Sequence, residues 1–194
     1  MDEPVTSQSG QADAAESPNN PATVRWLDLR AWVRDVVISV VIAAIVIVFL
    51  YQPVKVEGTS MMPWLTDQER IFVNKFVYRF GDIQRGDIVV FWFPLDPSKS
   101  YIKRVVGLPG DSVEIDRGTV IVNGKPVPEP YVTDQFRDYM SYPARTVEPD
   151  HYYVLGDHRN ASNDSRTWWT VERRRIYGKA VFVYWPLEKF GVLP

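Results

Sequence analysis

The sequence predicts a mostly β domain carried behind one N-terminal helix long enough to cross a bilayer. Three observations predict it. An uncharged run extends from Val36 to Val54 and is apolar throughout from Val40 to Tyr51. Downstream, short segments rich in β-branched and aromatic residues alternate with Gly, Pro, Asp and Asn, the pattern of strands and turns. Upstream, residues 1–23 carry four acidic and no basic side chains and contain no leucine, isoleucine or aromatic residue, a composition that cannot build a core.

The elements follow in order. Residues 1–23 read as a disordered tail, and 24–54 as a membrane anchor helix. The 19 uncharged residues of Val36 to Val54 would cover about 28 Å as a helix, close to the roughly 30 Å of a hydrocarbon core. Pro53 supplies a stop. A cleavable secretory signal is the nearest competitor, but the acidic lead before Arg25 and the lack of an Ala-x-Ala site after Leu50 argue against one. Arg25, Arg30 and Arg34 precede the run and Lys55, Arg70 and Lys75 follow it, so charge alone barely fixes its orientation.

Residues 55–194 hold 19 basic and 18 acidic side chains, a near-neutral domain large enough for its own core. Strands are expected at Ile71 to Tyr78, Asp87 to Phe93, Tyr101 to Val106, Ser112 to Ile115, Thr119 to Val122, His151 to Leu155 and Lys179 to Trp185. Asn123-Gly124 marks a tight hairpin turn. The Pro-rich stretch from Pro126 to Pro149 shows little regular pattern, and 117–150 reads as a hairpin-bearing insertion. Trp64 and the run Phe91-Trp92-Phe93-Pro94 read either as core or as aromatics dipping into a membrane interface.

Composition removes several functions. With 22 basic against 24 acidic residues there is no electrostatic case for a nucleic-acid partner. Cysteine is absent and histidine occurs twice, so neither a thiolate nucleophile nor a cysteine- or histidine-rich metal site is available. No metal or cofactor is expected. The remaining nucleophiles are hydroxyls, and a hydroxyl needs a base to take its proton. Ser60 lies in Gly58-Thr59-Ser60-Met61-Met62-Pro63, just past the apolar run, where by itself it reads as a turn residue. Lys103 is a mid-strand cation in Tyr101-Ile102-Lys103-Arg104-Val105-Val106; alternation does not say whether it or Arg104 points inward. Gly156 to Arg166 is a loop dense in Asp, Asn, Ser and Arg, which alone reads as a surface loop.

In this order, behind the apolar run, these pieces resemble the type I signal peptidases, also called leader peptidases. Ser60-Met61-Met62-Pro63 is similar to the family's serine motif and Gly86-Asp87-Ile88-Val89 to its next strand. Lys103 to Asp111 matches the lysine motif, and Gly156 to Arg166 the family's Gly-Asp-Asn-Arg-x-x-Ser-x-Asp-Ser-Arg loop. The resemblance implies a coiled β-sheet catalytic domain of the kind shared with self-cleaving repressor proteases, and a Ser/Lys protease that removes signal peptides from exported preproteins. It places Ser60 as nucleophile and neutral Lys103 as general base. Ser162 would orient the lysine amine, and Asp164 and Arg166 would form an ion pair fixing the loop. Val54, Val56, Met61 and Ile102 would line shallow apolar pockets for small residues before the cut. The partners implied are signal-peptide-bearing preproteins and the lipid bilayer, with the chain acting as a monomer. It would cross the plasma membrane once, N-terminus cytoplasmic and catalytic domain outside.

A free lysine, with a pKa of about 10.4, is neutral in only about one molecule in a few thousand at pH 7, so Lys103 must be buried to serve as a base. Three positions depart from the family pattern. Gly58 stands where some members carry a serine that helps stabilise the oxyanion, Trp64 replaces a threonine, and His158 replaces an asparagine. Two other readings compete: a self-cleaving Ser/Lys protease, and a membrane-tethered β-domain that binds a partner without catalysis.

Overall fold

The computed structural model describes the backbone of residues 21–194 and the side chains of these except 21–28 and 47–49. The tail expected over 1–23 lies, up to residue 20, outside the described residues. The chain divides into two units, the first ending at Ile45 and the second running from Val46 to Pro194.

Helix α1 (Pro21–Leu50) accounts for the described part of the first unit. Its side chains from Leu29 to Val46 are exposed, including Trp32, Val36, Val40 and Ile42. Among the described residues no helix is long and apolar enough to cross a membrane. The described side chains of α1 include Arg30, Arg34 and Asp35, the last two paired at 2.9 Å. The helix also ends earlier than the anchor expected over 24–54. It gives way after Leu50 to strand β1 (Tyr51–Lys55), and Pro53 sits inside that strand. Proline is tolerated there because β1 is an edge strand, with β2 as its one partner among the described residues.

The second unit contains two antiparallel sheets. The larger comprises β1, β2 (Arg70–Asn74), β3 (Ile88–Trp92), β4 (Ser100–Gly107), the later strands β9 (His151–Leu155), β10 (Val171–Glu172) and β11 (Ile176–Trp185), and β12 (Gly191–Val192). Its order is β1-β2-β11-β3-β4-β9-β10, with β12 on β11. Apolar clusters cover both faces of its middle strands. Ile88 and Val90 pack with Val56, Met61, Leu65 and Ile71, whereas Val89 and Phe91 pack with Val105, Val154 and Ile176. This explains why β3 reads Ile-Val-Val-Phe-Trp without alternation: a strand covered on two faces needs apolar residues at every position. Phe91 and Phe93 are core, packed with Trp168 and Tyr101; Trp92 and Trp64 are exposed.

The smaller sheet runs β7-β6-β5-β8, from β5 (Ser112–Asp116), β6 (Thr119–Val122), β7 (Lys125–Pro126) and β8 (Tyr142–Thr146). Its β6–β7 turn is Asn123-Gly124, with φ of 52° and 75°, the left-handed pair a two-residue hairpin requires. Two expectations change here. The excursion begins at β5 rather than at 117, and the Pro-rich stretch supplies strand β8, which pairs with β5. Pro143 hides that strand from pattern reading, because local alternation is weak and pairing supplies the stability. A third change concerns residues 75–78, expected as strand. The helical turn α2 (Val77–Phe80) starts there because Asn74 Oδ1 accepts hydrogen bonds from the Phe76 and Val77 amides, diverting the chain from the sheet.

Candidate active site

Ser60 lies on a turn held at several points. Val56 N–H donates to Glu69 O at 2.7 Å, Gly58 N–H to Asp67 Oδ1 at 2.8 Å, and Leu65 N–H to Met61 O at 2.9 Å. Met61 and Leu65 plug the turn into the core. Gly58 takes φ +92°, a conformation that disfavours side chains. The turn thus leaves Ser60 half-buried at the rim of a cleft.

Lys103 reaches it from β4. The lysine is 4% exposed, and its Nζ lies 2.7 Å from Ser60 Oγ and 3.0 Å from Ile102 O. Burial lowers its pKa from the ordinary 10.5 to about 8. The negative charges of Asp164 and Asp157 oppose that shift, and the positive charge of Arg166 assists it. Arg104, the next residue on the strand, is just as buried, at 2% exposed, but meets a carboxylate. Its Nε and Nη2 bind Asp157 at 2.9 and 2.7 Å, and its guanidinium stacks 4.0 Å from the Tyr131 ring centroid. The two neighbouring cations therefore have opposite fates. Arg104 is paired with a counter-ion, and Lys103, given a hydroxyl and a carbonyl, is biased toward the neutral amine.

The loop after β9 closes the site from below. Asp164, fully buried, accepts from the Gly156 amide at 3.0 Å and pairs with Arg166 at 2.8 Å. Arg166 also binds Asp138 Oδ2 at 2.6 Å and Arg159 O at 2.7 Å. Arg159 is buried against Glu129 and donates from Nε to Gly156 O at 3.0 Å. His158 donates from its backbone N–H to Ser60 O at 3.0 Å, and its Nδ1 lies 3.0 Å from Thr59 O. Since a carbonyl only accepts, Nδ1 carries the proton.

One expected contact is not made. The family resemblance implies that Ser162 orients the lysine amine, but its buried Oγ has no hydrogen-bond partner among the described residues. The amine instead spends its second bond on the carbonyl of its own strand, and Ser162 Oγ rests against Gly156, where an added Cβ would lie 2.2 Å from it. Elsewhere the expected residues converge. Val54, Val56, Met61 and Ile102 line one cleft of about 650 Å³ together with Ser60 and Lys103.

Sequence reading missed Val90, Ala161 and Asn163 on the cleft wall, and the buried pairs Arg104–Asp157 and Arg159–Glu129 beneath it. Asp157 and Arg159 lie within the recognised polar loop, so a search for counter-charges to Arg104 had a signal to follow. Glu129 had none, standing alone in the Pro-rich stretch.

Comparison with known proteins shows the family of the chain. A family profile described as "Signal peptidase, peptidase S26" matches residues 29–185. Signal peptidase I of Bacillus licheniformis is 37% identical over 81% of this chain and 89% of its own length. Signal peptidase IB of Staphylococcus aureus is 36% identical over 84% of this chain and 93% of its own. A crystal structure of a signal peptidase I from Enterococcus faecalis aligns with 51% of this chain and 97% of its own at 29% identity, with a TM-score of 0.46.

Proposed function

The chain belongs to the signal peptidase family, peptidase S26, and on that premise we propose that it is a serine endopeptidase that removes N-terminal signal peptides from exported preproteins, with Ser60 as nucleophile and Lys103 as general base. The observation that carries the assignment of roles is the 2.7 Å approach of a buried lysine amine to a serine hydroxyl that opens on a cleft.

The chemistry follows from those two groups. The neutral Lys103 amine takes the Ser60 hydroxyl proton as Oγ attacks the scissile carbonyl carbon, and the Ser60 N–H supports the resulting oxyanion. The lysine ammonium then gives its proton to the departing amine as the carbon–nitrogen bond breaks, leaving an acyl-serine. Water attacks that ester, its proton passing to Lys103 and then back to Ser60 Oγ as the acid is released.

The cleft suits an extended peptide. Among the described residues β1 has a free edge, and β4 from Ser100 to Lys103 pairs with β3 alone, because β9 joins only from Arg104. A substrate strand bonded to these edges would lay alternate side chains against Val54, Val56, Met61 and Ile102, walls that favour small residues. The loop pair Asp164–Arg166 would fix the floor. No described helix is by itself long and apolar enough to cross a membrane, so it is on the sequence of its uncharged run that we read α1 as the membrane anchor. From Val36 to Leu50 it is uncharged, about 22 Å of helix. The Arg34–Asp35 pair and Trp32 adjoin that stretch, where they would reach the headgroups at one end. The catalytic domain would stand on the outer side of the plasma membrane as a monomer, N-terminus in the cytoplasm.

The test is incubation of the detergent-solubilised full chain with a preprotein bearing an Ala-x-Ala end. Clean loss of the signal segment, abolished by Ser60→Ala and by Lys103→Ala in folded protein, is the expected result. Self-cleavage, binding without cleavage, or full activity in either variant would overturn it.

A further inference from the structure

His158 is the residue of the polar loop that touches the nucleophile's backbone most directly, and the reaction as derived above gives it no part. Its two hydrogen bonds reach the two peptide groups that flank the Ser60 Cα. The ring Nδ1–H donates to Thr59 O at 3.0 Å, and the backbone N–H donates to Ser60 O at 3.0 Å. The Thr59–Ser60 peptide is trans, the two cis bonds being Met62–Pro63 and Trp185–Pro186. In a planar trans peptide the C=O and N–H point in opposite directions. A donor fixed on Thr59 O therefore aims the Ser60 N–H, which the proposed mechanism uses for the oxyanion, and polarises the peptide so that this N–H donates more strongly. Met62 N–H shares the same carbonyl at 3.1 Å, so His158 fills its second acceptor site.

The placement of His158 is itself rigid. Asp157 and Arg159 on either side of it are held by buried ion pairs to Arg104 and Glu129. The Phe136 ring packs 4.3 Å, centroid to centroid, against the imidazole. We propose that His158 is a positioning residue for the oxyanion site, orienting the Ser60 N–H through the Thr59 carbonyl. The inference rests on the reading of Ser60 as nucleophile. It also accounts for a histidine at a position where the family pattern has asparagine, since the amide nitrogen of asparagine, like Nδ1 of histidine, is bonded directly to Cγ and offers a donor at similar reach.

The experiment compares His158→Leu, which removes the ring donor and keeps the bulk, with His158→Asn, which restores a donor. Each is assayed in the full-length protein in detergent with an Ala-x-Ala peptide and with a peptide boronate, whose tetrahedral adduct on Ser60 places an oxygen in the oxyanion position. His158→Leu is expected to lower kcat about tenfold, a fraction of the about 10²- to 10³-fold loss seen when an oxyanion donor is removed outright. KM should stay within about twofold, and boronate affinity should fall by the same ratio as kcat/KM. His158→Asn should recover most of both. Unchanged kcat in His158→Leu, a change confined to KM, undiminished boronate affinity, or failure of His158→Asn to recover would each overturn the proposal. Loss of activity in Ser60→Ala alongside any of these keeps the nucleophile assignment and discards only the role of His158.

Discussion

The ionisation of Lys103 gives the most demanding test of the proposed mechanism. Its amine is buried, is bonded to a hydroxyl and a carbonyl, and titrates at about 8 instead of 10.5. At a pKa of about 8 the neutral fraction is about 1% at pH 6, about 9% at pH 7 and about half at pH 8, whereas an unshifted lysine would be neutral in about three molecules per ten thousand at pH 7. Burial thus raises the reactive fraction about 300-fold at neutral pH. The value of kcat/KM should climb about tenfold from pH 6 to 7, about fivefold from 7 to 8, and level off by about pH 9. Initial rates on an internally quenched Ala-x-Ala peptide, with the full chain in detergent between pH 5.5 and 10, measure this. Stability reports the same proton independently. In the unfolded chain the lysine stays protonated up to about 10.5, and in the folded chain it loses its proton above about 8. Between those values the unfolded state holds more protons, so stability must rise with pH, by about 3 kcal/mol in total from this residue. Lys103→Met should remove that part of the slope. A rate flat from pH 6 to 8, an inflection near 10.5, or an identical stability slope in Lys103→Met would refute the reasoning.

Three further outcomes are expected. Asp157→Ala strands the Arg104 guanidinium in a buried site and should destabilise the domain by about 3–5 kcal/mol in urea unfolding; a change below about 1 kcal/mol would mean that Gly86 O, the Pro194 carbonyl and the Tyr131 ring suffice for the charge. Gly156→Ala would put a Cβ 2.2 Å from Ser162 Oγ and 2.5 Å from Ser60 O, so the serine turn must move; activity should drop more than about tenfold with the circular dichroism spectrum unchanged, and wild-type turnover would contradict the close packing. Ile102→Ala opens the cleft wall and should raise kcat/KM about tenfold for peptides with valine or leucine in place of one of the two alanines. Cleavage that still demands alanine at both positions would remove Ile102 from the pocket.

Much of the site was legible because its pieces are local. Gly58 and Pro63 mark the turn that presents Ser60, the run from Tyr101 to Val106 is a strand in any reading, and Asn123-Gly124 calls for a hairpin wherever it occurs. Residues 75–78 misled because β-branched and aromatic composition says strand, while a single side chain, Asn74, captures two amides and turns the chain. β8 stayed hidden because a strand interrupted by proline and exposed on most positions has little pattern of its own, and only β5 gives it a partner.

What the sequence determined by itself is the order of the motifs, the apolar N-terminal run, the β-rich domain and the residue types able to do chemistry, all properties that act over a few neighbouring positions. Tertiary structure alone decided that Lys103 and Arg104 are both buried, since strand alternation sorts side chains between two faces but cannot say that both faces are covered. It also decided which of the two meets a carboxylate and which is left with a hydroxyl and a carbonyl. Asp157 lies 53 residues from Arg104 and binds it, while Lys103 finds a hydroxyl 43 residues away. How far burial biases the Lys103 amine toward neutrality depends on the partners that folding delivers, and no local pattern carries that information.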